Sequence, residues 1–186
     1  MGTIMQSKEN RMLEIFFNYP TKHWHFEEML KKTKISRDKA NGWLKRFMKE
    51  GLVKRIKERG KMPYYIADHE SPAYKNKKKL FALQQFYDSG FLNHLQSLSK
   101  AKTVIIFGSM ARSDWYHGSD VDLFVYGDVK QGEIGSYYKG LHREIQVFIA
   151  KNRSDMKKFA EGLLSNILEG HLIKGEFETL GVDINV

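Results

Sequence analysis

The sequence predicts an α+β protein built in two parts, and three observations lead there. Residues 8–50 carry apolar side chains at helical spacing in three successive stretches, and residues 52–67 then alternate across a charged turn. Two apolar runs, 104–107 and 121–125, flank a Gly-Ser break in the second half. Charge divides in the same way: residues 1–100 hold 21 Lys and Arg against 10 Asp and Glu, whereas residues 101–186 hold 10 against 12. A basic first half joined to a slightly acidic second half implies two domains with different tasks.

The first helix is expected over residues 8–18, with Met12, Leu13, Ile15, Phe16 and Phe17 inward and Pro20 beyond its end. A second runs from His25 to Lys32, with Phe26, Met29 and Leu30 inward. The third spans Arg37–Glu50, with Ser36 at its N-cap and Gly51 just past its end. Its buried stripe is Ala40, Trp43, Leu44 and Phe47. Leu52–Lys57 and Met62–Ala67 form a hairpin whose tip is Glu58-Arg59-Gly60-Lys61. His23, Trp24 and His25 suggest a stacking or metal site, but a Trp at a helix entry usually packs, and two His at this spacing lack a third ligand.

Ser71-Pro72 opens a connecting helix toward Asp88, expected to bury Leu80, Leu83, Phe86 and Tyr87, with Lys75, Lys77, Lys78 and Lys79 as a charged cluster on its first turns. A further short helix carries Phe91, Leu92 and Leu95. Domain limits are drawn at 1–70, 71–98 and 99–186, the middle piece being a connector.

The stretch Val104–Val125 is expected to fold as strand, tight turn, short helix, strand. In the second strand Asp120 and Asp122 project from one face, about 7 Å apart along the backbone, while Val121 and Leu123 point to the core. Such a pair can hold a divalent cation. Gly108 permits a sharp turn and close approach of a ligand. Ser109 follows with a hydroxyl and an amide at a helix start, where anions are favoured. Phosphate donors on one side and carboxylates on the other make a phosphoryl- or nucleotidyl-transfer site.

This segment resembles the minimal nucleotidyltransferases of the DNA polymerase β-like superfamily, whose pattern is G-S-x-A-R-G, five variable residues, then S-D-x-D-L. Here it reads Gly108-Ser109-Met110-Ala111-Arg112-Ser113, then Asp114–Gly118, then Ser119-Asp120-Val121-Asp122-Leu123, without a gap. The one departure is Ser113 in place of Gly. The resemblance implies a small mixed-sheet domain that moves a nucleoside monophosphate from an NTP, ATP first among them, to an acceptor with Mg²⁺ or Mn²⁺. Asp120 and Asp122 would be metal ligands. Gly108, Ser109, Arg112 and Ser119 would contact the nucleotide. A third carboxylate, commonly Asp on a neighbouring strand, falls at Glu144 in the alternating run 142–149. Three helices and a basic hairpin resemble a winged helix-turn-helix domain. That resemblance implies that Arg37, Lys39, Asn41, Lys45 and Arg46 on the third helix and Arg59 and Lys61 on the wing face DNA or RNA. Winged helices also dock proteins, so both uses stay open.

Ser154 is expected to cap one helix burying Met156, Phe159, Leu163, Leu164 and Ile167, stopped by Gly170 and followed by a short strand 171–174. The tail 180–186 alternates and would add an edge strand or exchange onto a second copy in a homodimer. Absence of cysteine excludes disulfides and fits a cytoplasmic protein, and no apolar run approaches the roughly 20 residues of a membrane span. Two rival assignments keep the same motifs. One is a DNA-binding transcription regulator whose second domain only binds nucleotide or is inactive; the other is an antitoxin-like relative acting on a partner toxin. The acceptor, whether RNA, protein or a small alcohol, is left open by the sequence.

Overall fold

The computed structural model describes residues 7–135, 141 and 143–181. These form two compact units, one comprising the chain through Leu80 together with Trp115–His117, the other Phe81–Asp114 together with Gly118 onward.

In the first unit, α1 (Lys8–Asn18) starts at Ser7, whose Oγ accepts from the Asn10 N–H at 3.1 Å. All five apolar residues expected inward on α1 are buried. α2 (Phe26–Thr33) ends at Lys34, which takes a left-handed conformation and turns the chain toward α3 (Arg37–Lys49). Ser36 occupies the N-cap position of α3 in an extended conformation, but its hydroxyl makes no capping hydrogen bond. Ala40, Leu44 and Phe47 are buried as the helical period requires, and Trp43 is half-buried. β1 (Val53–Ile56) and β2 (Tyr64–Ala67) pair antiparallel from Val53 opposite Ala67 to Ile56 opposite Tyr64. Trp24 bridges to Tyr65 through two backbone hydrogen bonds of 2.8 Å, and its ring is buried. Packing is therefore the role of this Trp.

α4 (Pro72–Asp88) buries Phe86 as expected and half-buries Leu83, but corrects the phase at Leu80 and Tyr87. Leu80 and Tyr87 are exposed, and the buried residues are Tyr74, Lys78, Phe81, Ala82 and Phe86. Lys78, expected in the charged cluster of the first turns, lies on the buried stripe. Its ammonium donates to the Trp115 carbonyl and sits 4.6 Å from the Trp115 ring centroid and 5.6 Å from that of Tyr74. A lysine is almost never fully buried without such partners. Trp115 itself packs edge-to-face on Phe17, and the His117 N–H donates to the Asn18 carbonyl at 2.8 Å.

The second unit holds α5 (Phe91–Ser97), β3 (Ala101–Phe107), α6 (Ser109–Arg112), β4 (Val121–Gly127), α7 (Gln131–Gly135), β5 (Ile145–Ala150), α8 (Arg153–Met156), α9 (Glu161–Leu168) and β6 (His171–Lys174), with a 3-10 turn at Glu178–Leu180. Its four-stranded sheet runs β5-β4-β3-β6. β4 and β5 are parallel and the other pairs antiparallel, so the sheet is mixed, as expected. Ile105, Phe107, Phe124, Tyr126 and Ala150 share one face and pack with Phe148, Met156, Phe159, Leu163 and Leu164. The alternate residues Val104, Ile106, Leu123 and Val125 are buried on the other face. Burial on both faces is why these two strands read as continuous apolar runs.

Residues 153–168 form two helices rather than one. Asn152, not Ser154, is the cap: its Oδ1 accepts from the Asp155 N–H at 3.1 Å. The tail beyond Gly181, expected as an edge or exchanged strand, lies outside the described residues, as does His142 at the start of the expected fifth strand. Among the described residues no helix is long and apolar enough to cross a membrane.

Candidate active site

The site is built where β3 ends and β4 begins. β3 delivers Phe107 opposite Asp122 in the antiparallel register. The chain then turns at Gly108, with φ 68° and ψ −145°, a combination that side-chain-bearing residues essentially never adopt. A Cβ at this position would fall on Asp122 Oδ2 and lie 2.9 Å from its Cγ. The close approach inferred for a ligand is thus already made by the protein's own carboxylate. Gly108 is required twice, once for its backbone angles and once because Asp122 occupies the space of its missing side chain.

α6 carries Ser109, half-buried at its first position, and Arg112 at its last. It closes on Ser113, which is left-handed at φ 66°. This is the position at which the resembling family has Gly, and the backbone conformation accounts for that preference. Arg112 pairs with Asp114 Oδ2 at 3.1 Å. Ser119 is buried, and its carbonyl accepts from Arg143 Nη1 at 2.8 Å. β4 begins at Val121, so Asp120 stands immediately before the strand and Asp122 is its second residue.

Asp122 is half-buried, and its carboxyl pKa is raised above the ordinary carboxylate value. Desolvation is the first cause, the Asp120 charge the second, and the Arg112 guanidinium opposes both. Glu144 lies just ahead of β5 with an exposed side chain, and its carbonyl accepts from the Val121 N–H at 2.8 Å. The parallel register continues with Asp122 beside Gln146. Among the described residues no three His, Asp or Glu side chains gather into a group able to hold a cation. The structure thus supplies a carboxylate pair, with Glu144 on the neighbouring strand's approach but not drawn in as a third member. Arg143 was not singled out from sequence, and no residue pattern around it signals that it braces Ser119.

Residues 89–171 match the family model of the nucleotidyltransferase domain. The matched span contains the Gly108–Leu123 motif and ends at the first residue of β6. Nucleotidyl transfer is what this domain is described as doing, in general terms. No curated protein matches the chain.

The residues assigned to nucleic acid all lie in the first unit, outside the nucleotidyltransferase domain match. Lys39, Asn41, Lys45 and Arg59 are exposed, and their side chains make no ion pair or hydrogen bond among the described residues. Arg37 pairs with Glu27 at 2.7 Å, Arg46 with Glu9 and Glu50, and Lys61 with Glu58. Such exposed pairs contribute little stability and exchange readily for other anions.

Proposed function

We propose that the protein is a divalent-metal-dependent nucleotidyltransferase that moves a nucleoside monophosphate from an NTP, ATP first among them, to a hydroxyl-bearing acceptor. The observation that carries this reading is the Gly108–Ser109 turn packed against Asp122, with Asp120 immediately before the same strand. The donor set fits Mg²⁺ or Mn²⁺: two hard, mutually repelling carboxylates favour a cation, and Mg²⁺ is commonly held by one or two carboxylates with substrate phosphates and water completing its shell. Such an ion supplies neutralisation of the charge that develops on the transferred group and the departing pyrophosphate.

The chain's own residues then divide the work. Ser109 binds the triphosphate through its amide and hydroxyl. Arg112 exchanges its Asp114 partner for pyrophosphate oxygens. Ser119, braced by Arg143, completes the nucleotide contacts and orients Asp120. Glu144, exposed ahead of β5 and outside the carboxylate pair, is assigned the proton of an acceptor hydroxyl that binds beside it, rather than a place among the metal ligands. The acceptor oxygen forms a bond to the α-phosphorus as the bond to the β-phosphate oxygen breaks, and that electron pair leaves with pyrophosphate.

The first unit is assigned as a winged helix-turn-helix that contacts nucleic acid, with α3 as the groove-facing helix and the β1–β2 hairpin as wing. Support comes from the order of three helices and an antiparallel hairpin and from the unpaired cations Lys39, Lys45 and Arg59. Because phosphate contacts dominate such binding, affinity should fall steeply with salt.

Label transfer tests the central claim. Wild-type protein, Mg²⁺ and each α-labelled NTP are incubated with total RNA, with protein extract, or alone. Label should move with the wild type, and the labelled fraction identifies the acceptor class. It should not move with EDTA or with the Asp120→Ala/Asp122→Ala variant. Transfer that persists in this variant overturns the site. If no label moves while the protein shifts DNA, a nucleotide-sensing DNA-binding regulator replaces the transferase reading.

A further inference from the structure

At the loop end of the hairpin the first unit has an open pocket of about 430 Å³, lined by His23, His25, Glu58, Lys61, Met62 and Tyr64. The volume is in the range of small-ligand sites, roughly 300–1,000 Å³. His23 lies flat on Tyr64, with ring centroids 3.9 Å apart and planes 14° from parallel. His25 meets Tyr64 edge-on, with centroids 6.5 Å apart. The His25 ring is fixed by a 3.2 Å hydrogen bond between Nδ1 and the Pro63 carbonyl. On the polar side, the Tyr64 hydroxyl and the Lys61 ammonium both donate to the Glu58 carboxylate. Met62, its side chain largely in solvent, adds a soft apolar contact.

This combination selects among ligands. A bare phosphate would meet the Glu58 carboxylate, and an aliphatic side chain would leave Glu58 and Lys61 without use. A metal ion is not favoured, because no three-ligand group exists among the described residues. A flat heteroaromatic ring with an exocyclic amine fits better. It stacks on the exposed face of the His23–Tyr64 pair, donates to Glu58, and leaves an adjoining phosphate near Lys61 and the exposed Arg59.

We propose that this pocket binds an unpaired nucleobase of a single-stranded segment adjoining the duplex that the hairpin contacts. A base inside a duplex is stacked on both faces and cannot enter. The proposal rests on the assignment of the first unit to nucleic acid, and makes that unit a reader of duplex ends, tails or bulges.

The test uses the full chain and fluorescence anisotropy at fixed salt. One probe is a blunt 20-base-pair DNA duplex; the second is the same duplex with a three-nucleotide single-stranded tail containing 2-aminopurine; the third is free ATP without metal. Stacking of one base is worth about 1–3 kcal/mol, so the tailed probe should bind wild type about tenfold tighter than the blunt one. The 2-aminopurine emission should be quenched on binding. His23→Ala should remove most of that advantage while leaving blunt-duplex affinity unchanged, and Glu58→Gln, which also frees Lys61 and so tightens both probes, should lower the tailed-to-blunt affinity ratio, with Tyr64→Leu as a further variant and thermal melts reporting the fold. A tail advantage that survives in His23→Ala and Tyr64→Leu, or equal wild-type affinity for both duplexes, overturns the proposal. Binding of ATP alone in the pocket, lost in His23→Ala, with no tail preference, reassigns it to free nucleotide. Failure to bind either duplex overturns the nucleic-acid reading of the unit and the pocket proposal with it.

Discussion

Asp122 holds a carboxylate in a position where its own charge is disfavoured. Burial and Asp120 raise its pKa in the folded protein, whereas the unfolded chain titrates near 3.9. The folded state thus binds the proton more tightly, and stability is lost as pH rises from the unfolded value through the folded one. The penalty is present once pH exceeds the folded-state value. Asp122→Asn should therefore abolish nucleotidyl transfer yet raise the melting temperature at pH 7 by on the order of 1–3 °C, a modest figure because the group is only half-buried. The gain should narrow as pH falls toward 4, and melts at the two pH values check this. Gly108→Ala should cost about 1–3 kcal/mol by urea unfolding, from backbone strain and from displacing Asp122. Placing Gly108→Ala in an Asp122→Ala background should recover part of that loss, since the carboxylate is then gone. Both carboxylates and the glycine were legible from their spacing. That Gly108 accommodates Asp122 rather than a ligand was not, because residues fifteen or so apart in sequence give no local sign of touching.

α6 shows how much an element of four residues depends on its last turn. Ser113 ends it in the left-handed region, where a side chain costs about 1–2 kcal/mol relative to glycine. Ser113→Gly should stabilise the protein by about 0.5–1 kcal/mol after allowing for the greater freedom of the unfolded glycine, as denaturant unfolding would record. The longer helices were legible where the apolar period was uninterrupted. α1 and α3 followed it closely, and so did β3 and β4, whose two buried faces erase alternation. α4 was read correctly at Phe86 but in the wrong phase at Leu80 and Tyr87, for an identifiable reason. Its buried stripe contains Lys78, and a charged residue on a stripe directs any hydrophobic reading to the neighbouring face, here Leu80 and Tyr87. Lys78→Met keeps the volume but leaves the Trp115 carbonyl without that donor, so it should destabilise the first unit by about 1–3 kcal/mol. Tryptophan emission during unfolding would detect the change.

At the level of the molecule, charge division suggested two parts with different tasks; the residues separate into two compact units, and the nucleotidyltransferase match lies on the second apart from Trp115–His117. What composition does not convey is how far the basic surface is already neutralised. Arg37, Arg46 and Lys61 are each engaged by a glutamate, and for Arg37 and Arg46 the partners Glu27 and Glu9 are brought near only by the fold. It also does not convey that the first unit is discontinuous. Trp115–His117, the middle of the five-residue spacer in the catalytic motif, belongs to it. A fragment ending at Leu80 should consequently expose the faces of Phe17 and Lys78 that Trp115 covers, and should bind an apolar dye that the full chain does not. The same feature bears on cleavage. The chain visits the first unit twice, so a single backbone cut within α4 would not set that unit free. The two pieces should migrate together on a native gel and separate only in denaturant, the indole of Trp115 serving as the rivet.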